Sequence, residues 1–211
     1  NDAIDGVEAL IKRHPDKFAL ATCSEDLFRQ QQSGLISLPL GMENGGPISS
    51  NFNYLEHFYK RGIRYVTLSH SKSNHISDSS YDTNERWQGL SSFGKALIPE
   101  MNRLGVMIDV SHISDLAFWQ VMALSQVPAL ASHSSLRHFT PDFQRNMSDD
   151  MIIALAKNGG VIQINFGSSF IHQAARDWTT NRITRALALQ KEKGLPEGHP
   201  ELIAFMNNYY N

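Results

Sequence analysis

The sequence has one cysteine, Cys23, in 211 residues. Without a second cysteine the chain can form no internal disulfide, and a zinc site built from several thiolates is excluded. A Gly-x-Ser-x-Gly segment, which forms the nucleophile elbow of α/β-hydrolases, is also absent. The sequence therefore argues against a disulfide-stabilised scaffold, a cysteine-rich zinc domain and a serine hydrolase of that type.

Long apolar runs and an excess of one charge are missing as well. No run approaches the roughly 18 apolar residues that cross a bilayer, and 19 Lys plus Arg stand against 21 Asp plus Glu. No basic run suggests a nucleic-acid partner. Residues 1–5 contain no initiator Met and no signal-peptide pattern. The sequence thus predicts no nucleic-acid partner and no transmembrane segment in this chain, and it assigns no cellular location.

Helical and strand-like patterns alternate along the chain, which predicts βαβ units and a parallel sheet. At this length one α/β domain over residues 1–211 is expected rather than two small ones. The chain is short for a complete (β/α)₈ barrel, which typically needs about 250 residues. Pro39 predicts a bulge or an early end in its strand, and Ser24 is expected to cap the helix that follows it.

Five apolar segments predict strands, and chemically active side chains stand at their ends. The segments are residues 34–41, 64–69, 106–111, 127–132 and 161–166. The first four lead into Glu43, His70, His112 and His133, and the fifth carries Asn165. Because the carboxyl ends of the strands form one rim of a barrel, residues far apart in sequence can build a single site there.

His112 and His133 are the sharpest pair of candidates. Their predicted strands are separated by one helix, and adjacent parallel strands lie about 4.8 Å apart, so the two imidazoles can converge on one ion. Neutral imidazole is a natural ligand for zinc and similar metals. Two histidines that are hydrogen-bonded in a polar barrel mouth would show the same spacing. From spacing alone both interpretations stay open.

Four further residues have more than one interpretation. Glu43, in the glycine-rich segment GMENGG, suits a bridge between two metals, a general base or a solvated loop residue. His70 suits a metal ligand, an oxyanion stabiliser or a polar end to its strand. Arg137 and Arg145 follow His133, and either could clamp a substrate carboxylate by bidentate hydrogen bonds. Loop arginines are also commonly just solvated.

Taken together, these segments resemble the membrane dipeptidase (renal dipeptidase) family, zinc peptidases of the metal-dependent hydrolase superfamily. The matching segments are GMENGG at 41–46, RGIRYVTLSHS at 61–71, NRLGVMIDVSH at 102–112, SHSS at 132–135 and RNMSDD at 145–150. They occur in the family's order. The resemblance covers nearly the whole chain and is weakest after about Ile171.

The resemblance implies a (β/α)₈ barrel. It also implies hydrolysis of dipeptides, including some with a C-terminal D-residue, by a water or hydroxide held between two zinc ions. Glu43 would bridge the two ions. His112 and His133 would ligate one of them. His70 would contact the substrate and stabilise the tetrahedral intermediate, and Arg145 would hold the C-terminal carboxylate. A dipeptide is the implied partner, and a homodimer is compatible with the resemblance.

Two parts of the family pattern have no counterpart on the predicted strands. One is a His-x-Asp pair on the first strand, which supplies ligands to the other metal ion. The second is an Asp-Phe-Asp-Gly-like segment near the last strands. Phe170 also stands where the family has a Tyr. We therefore expect an internal portion of a longer dipeptidase that lacks the first and last barrel elements and binds metal weakly. The alternatives are another metal-dependent amidohydrolase, such as a deaminase, and a metal-free, non-catalytic homologue.

Overall fold

Six parallel strands form one sheet, and they follow one another across the sheet in chain order. The computed structural model describes residues 1–208. The strands are β1 (Phe18–Ala21), β2 (Ile36–Glu43), β3 (Ile63–Thr67), β4 (Met107–Asp109), β5 (Leu130–Ser134) and β6 (Val161–Ile164). Among residues 1–208 the sheet is open, because β1 and β6 each pair on one side only. The fold is an open half-barrel, which confirms the predicted α/β class and its partial character.

Helices connect the strands, as the alternating pattern predicted. They are α1 (Asp2–Arg13), α2 (Ser24–Gln32), α3 (Phe52–Lys60), α4 (Ser92–Leu104), α5 (Asp115–Leu124), α6 (Asp149–Lys157), α7 (Ser168–Ile171), α8 (Gln173–Lys193) and α9 (Pro200–Asn208). Two short 3₁₀ turns, Gly46–Ile48 and Arg137–Phe139, lie in the loops. None of the helices described for this chain has the length and apolar character needed to cross a membrane.

Serine side chains begin several of these helices. Ser114 accepts a hydrogen bond from the N–H of Ala117, and Ser148 accepts one from Met151, so both satisfy free donors of a first turn. The expected cap at Ser24 is wrong, because Ser24 is already helical and the capping position is Cys23, without a side-chain hydrogen bond.

Strand β2 is irregular near Pro39, as its sequence predicted. Residues 36–39 pair with β1, whereas Leu40 and the residues after it pair with β3. The register shifts between Leu40 and Gly41. A side chain at Gly41 would overlap the ring of Tyr65, with its Cβ 2.0 Å from the nearest ring atom. Glycine is therefore required where β2 crosses that ring.

The apolar core lies between the sheet and the central helices. Val66 of β3 and Ile108 of β4 are fully buried, and so are Leu97 of α4 and Phe118 of α5. Burial of each such side chain contributes roughly 1.5–3 kcal/mol. By contrast, α8 has no buried residue. The core therefore fixes β3, β4 and β5, the strands whose carboxyl ends carry the histidines.

Candidate metal centre

The four candidate ligands stand at the carboxyl ends of four consecutive strands. Glu43 is the last residue of β2, and His70 and His112 each lie three residues beyond β3 and β4. His133 lies inside β5, next to its final residue. The sequence placed the end of that strand at Ser132, two residues too early. All four side chains nevertheless reach the same rim.

The Glu43 carboxylate lies at the centre of this cluster. Its Oε1 atom is 3.0 Å from Nε2 of His133, 3.3 Å from Nε2 of His70 and 3.4 Å from Nε2 of His112. One ligand atom from each of Glu43, His70 and His112 lies within 4.8 Å of the other two. Imidazole nitrogens and a carboxylate oxygen are ligands that suit a divalent transition metal.

His112 is the most deeply buried of the three histidines. Its side chain is 7% exposed, against 31% for His133 and 40% for His70. Burial lowers the pKa of His112 to about 2, and the charges of Arg145, His70 and His133 act in the same direction. The ring is therefore neutral at ordinary pH, and a neutral ring is the form that binds a metal. Its backbone has φ 70°, which is uncommon for a residue other than glycine.

The two loop arginines have different surroundings. Arg137 forms two 2.7 Å hydrogen bonds to the carboxylate of Asp115 and also donates to the carbonyl of Asn146. The guanidinium of Arg137 is therefore occupied by its contacts with α5 and with its own loop.

Arg145 lies in the site and is 3% exposed. It donates to Ser134 Oγ at 2.8 Å and to the carbonyl of His133 at 2.5 Å. Its Nε is buried and has no hydrogen-bond partner in the part of the chain that the structure describes. Burial lowers the pKa of this guanidinium. Of the two arginines, Arg145 is therefore the one that keeps an unpaired N–H donor near the histidines.

Aromatic side chains lie beside the cluster. The ring of Tyr81 lies 5.8 Å from that of His112 and 6.0 Å from that of Phe143. Phe170 packs against Phe143 at 5.5 Å and lies 5.7 Å from the Arg145 guanidinium. Burial raises the pKa of Tyr81. Sequence reasoning missed Tyr81, because this residue belongs to a polar loop with no periodic pattern.

A buried carboxylate below the histidines was also missed. Asp109, the last residue of β4, is completely buried and accepts hydrogen bonds from Thr67, Ser111 and Ser132. An aspartate inside an otherwise apolar strand was the available signal.

The one His-x-Asp triplet of the sequence does not reach this rim. His14, Pro15 and Asp16 join the end of α1 to the start of β1. They therefore lie at the amino end of that strand, whereas the candidate ligands lie at the carboxyl ends. Among residues 1–208, no His-x-Asp pair stands at the carboxyl ends of the strands.

Parallel strands with a histidine and glutamate cluster at their carboxyl ends define the class of barrel-type metal-dependent hydrolases. Within that class, residues 1–194 match the model of the membrane dipeptidase family (peptidase family M19). The chain belongs to this family, as its motifs predicted, and is a homologue of the metallo-dipeptidases.

Individual relatives agree with this assignment. The chain is 36% identical over 163 residues to the dipeptidase verJ of Clonostachys rogersoniana, covering 77% of this chain and 42% of that protein. The structure of the probable dipeptidase PvdM of Pseudomonas aeruginosa matches with a TM-score of 0.79 and 30% identity, covering 92% of this chain and 48% of the other.

A metallopeptidase of Rhodobacter sphaeroides, bound to a phosphinate mimic of the dipeptide L-Ala-D-Ala, matches with a TM-score of 0.74 and 25% identity. That match covers 82% of this chain and 50% of the other. The chain thus spans about half the length of the relatives it matches.

Proposed function

We propose that this chain contributes to a zinc-dependent dipeptidase site, in which Glu43 would bridge two ions and His112 and His133 would ligate one of them. The observation that carries the proposal is the convergence of the Nε2 atoms of three histidines on Glu43 Oε1, at 3.0 to 3.4 Å. A carboxylate at the centre of several imidazoles is suited to share its oxygens between two cations.

His70 is assigned to the substrate. It is the most exposed imidazole of the cluster, at 40%, so it can meet a ligand that enters from solvent. Its Nδ1 lies 2.8 Å from Ser71 Oγ, which leaves Nε2 facing the site. A donor at that atom would stabilise the oxygen that becomes negatively charged as the peptide carbonyl is attacked.

Arg145 is assigned to the C-terminal carboxylate of the dipeptide. Two of its N–H groups are bound to Ser134 and to the carbonyl of His133, which fixes the orientation of the guanidinium. The N–H groups that remain can pair with a carboxylate. An arginine at a fixed distance from the cluster would select short peptides, because only those bring their carboxylate to it.

Bound zinc would supply an activated water and polarise the scissile carbonyl. The relative that binds a mimic of L-Ala-D-Ala supports the inclusion of substrates with a C-terminal D-residue. Because no His-x-Asp pair of residues 1–208 reaches the rim, we expect the 211-residue chain to bind zinc weakly. Its turnover should be well below the roughly 10 s⁻¹ of a typical enzyme.

Metal analysis and long incubations with L-Ala-D-Ala and L-Ala-L-Ala test this proposal. We expect hydrolysis that requires zinc and stops when a chelator is added. We also expect Arg145→Ala to abolish it. Cleavage of a cyclic amide or amidine that does not depend on Arg145 would point instead to another amidohydrolase. A folded protein that takes up no zinc at millimolar concentration would favour a non-catalytic homologue. A homodimer stays a prediction, which sedimentation can check.

A further inference from the structure

A buried aspartate closes the long loop between β3 and α4. Asp78 is 1% exposed. Its Oδ1 atom accepts the main-chain N–H of Arg86 at 2.8 Å, and its Oδ2 atom accepts those of Trp87 and Gly89, both at 3.0 Å. The N–H of Asp78 also donates to the carbonyl of Gly89, at 2.9 Å. Because hydrogen bonds to a carboxylate are stronger than those between neutral groups, Asp78 holds residues 78–89 closed.

The two residues that follow Asp78 contact the main chain of two candidate ligands. The hydroxyl of Ser79 donates to the carbonyl of His70. The N–H of Ser80 donates to the carbonyl of His112, at 2.7 Å. The loop that Asp78 closes is therefore bonded to both histidine segments.

The main chain of Asp78 is bonded to the same two segments. Its carbonyl accepts the N–H of Ser114 at 3.0 Å and the hydroxyl of Ser69 at 3.3 Å. Ser69 precedes His70, and Ser114 lies two residues after His112. Asp78 thus joins the far end of its loop, through the carboxylate, to the two histidine segments, through the carbonyl.

These contacts matter because the two histidines lie beyond the regular sheet. β3 ends at Thr67 and β4 at Asp109, so the strand ladder does not fix His70 or His112. His112 also has φ 70°, a conformation that persists in a residue other than glycine only where its surroundings hold it. Residues 78–80 supply hydrogen-bond donors to the carbonyls of both histidines.

We propose that Asp78 is a positioning residue of the metal centre, which keeps residues 78–80 in place against the main chain of His70 and His112. The two imidazoles thereby keep their distances of 3.3 and 3.4 Å from Glu43 Oε1. The effect on metal affinity rests on the proposed function, but the support of the two segments is a property of the metal-free chain. Groups that support ligands in this way commonly change metal affinity by about 10–100-fold.

Asp78→Asn tests this role. The variant keeps the size of the side chain but replaces one acceptor oxygen by an NH₂ group, which must face a main-chain N–H donor. Asp26→Asn is the matched control, because the Asp26 carboxylate also accepts a main-chain N–H, but its partners are Thr22 and Arg29, in or next to α2.

Amide hydrogen exchange of the metal-free protein, followed by NMR, gives the first readout. In Asp78→Asn we expect the N–H of Ser80 to exchange about 10–100-fold faster, together with those of Trp87 and Gly89. The amides of β5 should keep their native rates, because they belong to the sheet, and Asp26→Asn should leave Ser80 at its native rate. A native rate for Ser80 in Asp78→Asn, or an equal acceleration in β5, would overturn the proposal.

Ser79→Ala keeps the proposal testable if Asp78→Asn does not fold. It leaves the Asp78 carboxylate and its main-chain donors in place and removes the hydroxyl that donates to His70. We expect zinc binding to weaken by about tenfold. We also expect a shifted ¹⁵N resonance of Ser71, whose peptide group contains the His70 carbonyl. A native Ser71 resonance or native zinc affinity in this variant would overturn the proposal.

Zinc titration against a competing chelator gives the second readout for the first pair of variants. Asp78→Asn should bind zinc about 10–100-fold more weakly than the native chain, whereas Asp26→Asn should match the native chain. Unchanged affinity in Asp78→Asn would overturn the positioning role. A native chain that binds no zinc would instead refute the proposed function, and hydrogen exchange would still decide whether Asp78 supports the two histidine segments.

Discussion

Glu43 at the end of β2 and His133 near the end of β5 lie 3.0 Å apart, although β3 and β4 stand between their strands. The carboxylate therefore reaches across the rim as well as to His70, which follows the neighbouring strand β3. A single negative oxygen within hydrogen-bond range of three imidazoles is the feature on which cation binding should depend.

Glu43→Gln should weaken zinc binding by more than the roughly 10–100-fold expected for supporting groups. The amide keeps the size of the side chain but removes the charge that the cations would share. A zinc titration with a chromophoric competitor measures the change. Glu56→Gln is the control, because the Glu56 side chain of α3 is 46% exposed and paired with Lys60. Equal affinities of the two variants would contradict a central role for Glu43.

Arg137→Lys should lower the free energy of unfolding by about 1–3 kcal/mol, the range for charged hydrogen bonds lost from partly buried sites. Lysine cannot reproduce the fork that binds both oxygens of Asp115.

Arg103→Lys is the control for this variant, because Arg103 also binds Glu100 through two nitrogens but is 62% exposed, against 18% for Arg137. Exposed pairs contribute about 0–1 kcal/mol, so urea unfolding should show a smaller loss for Arg103→Lys. Losses of the same size would show that burial does not set the strength of the Arg137 pair.

Gly94→Ala should destabilise the fold by about 1–3 kcal/mol, as overpacking in a core typically does. A Cβ at this position of α4 would lie 2.1 Å from the carbonyl oxygen of Ile76, which cannot move without displacing the loop. Gly6→Ala in α1 is the matched control, because a Cβ there meets nothing within 4 Å. That variant should gain up to about 1 kcal/mol from helix propensity. Thermal unfolding of both should therefore give shifts of opposite sign.

Asp26 should make stability depend on acid pH. The N–H and the hydroxyl of Thr22 both donate to its carboxylate, and these bonds lower its pKa to about 2. The unfolded chain binds this proton at an ordinary pKa of about 4. The contribution of Asp26 is therefore complete above pH 4 and disappears as pH falls from about 4 to about 2.

Asp26→Asn removes that dependence. The difference in unfolding free energy between native chain and variant should shrink over this range of pH and stay constant from pH 5 to 7. A difference that grows in acid would contradict the assigned cause.

Local chemistry made much of the fold predictable from sequence. The serines at 114 and 148 mark the starts of α5 and α6. These signals act within one or two turns of chain, so the sequence reports them directly. The motifs also placed the candidate ligands at strand ends. The start of α2 and the end of β5 were missed, because such boundaries depend on contacts with neighbouring elements.

The sequence by itself determined the family, the parallel α/β class and the identity of the candidate ligands, since each follows from residue type and order. Only the tertiary structure decided that all three imidazoles face one oxygen of Glu43. It also decided that Arg137 pairs with Asp115, whereas Arg145 keeps an unpaired donor. The contact of Asp109 with His133 through Ser132 was likewise visible only there. Those facts are distances between side chains on different strands. They arise when the core fixes the strands side by side, and no local pattern in the chain encodes them.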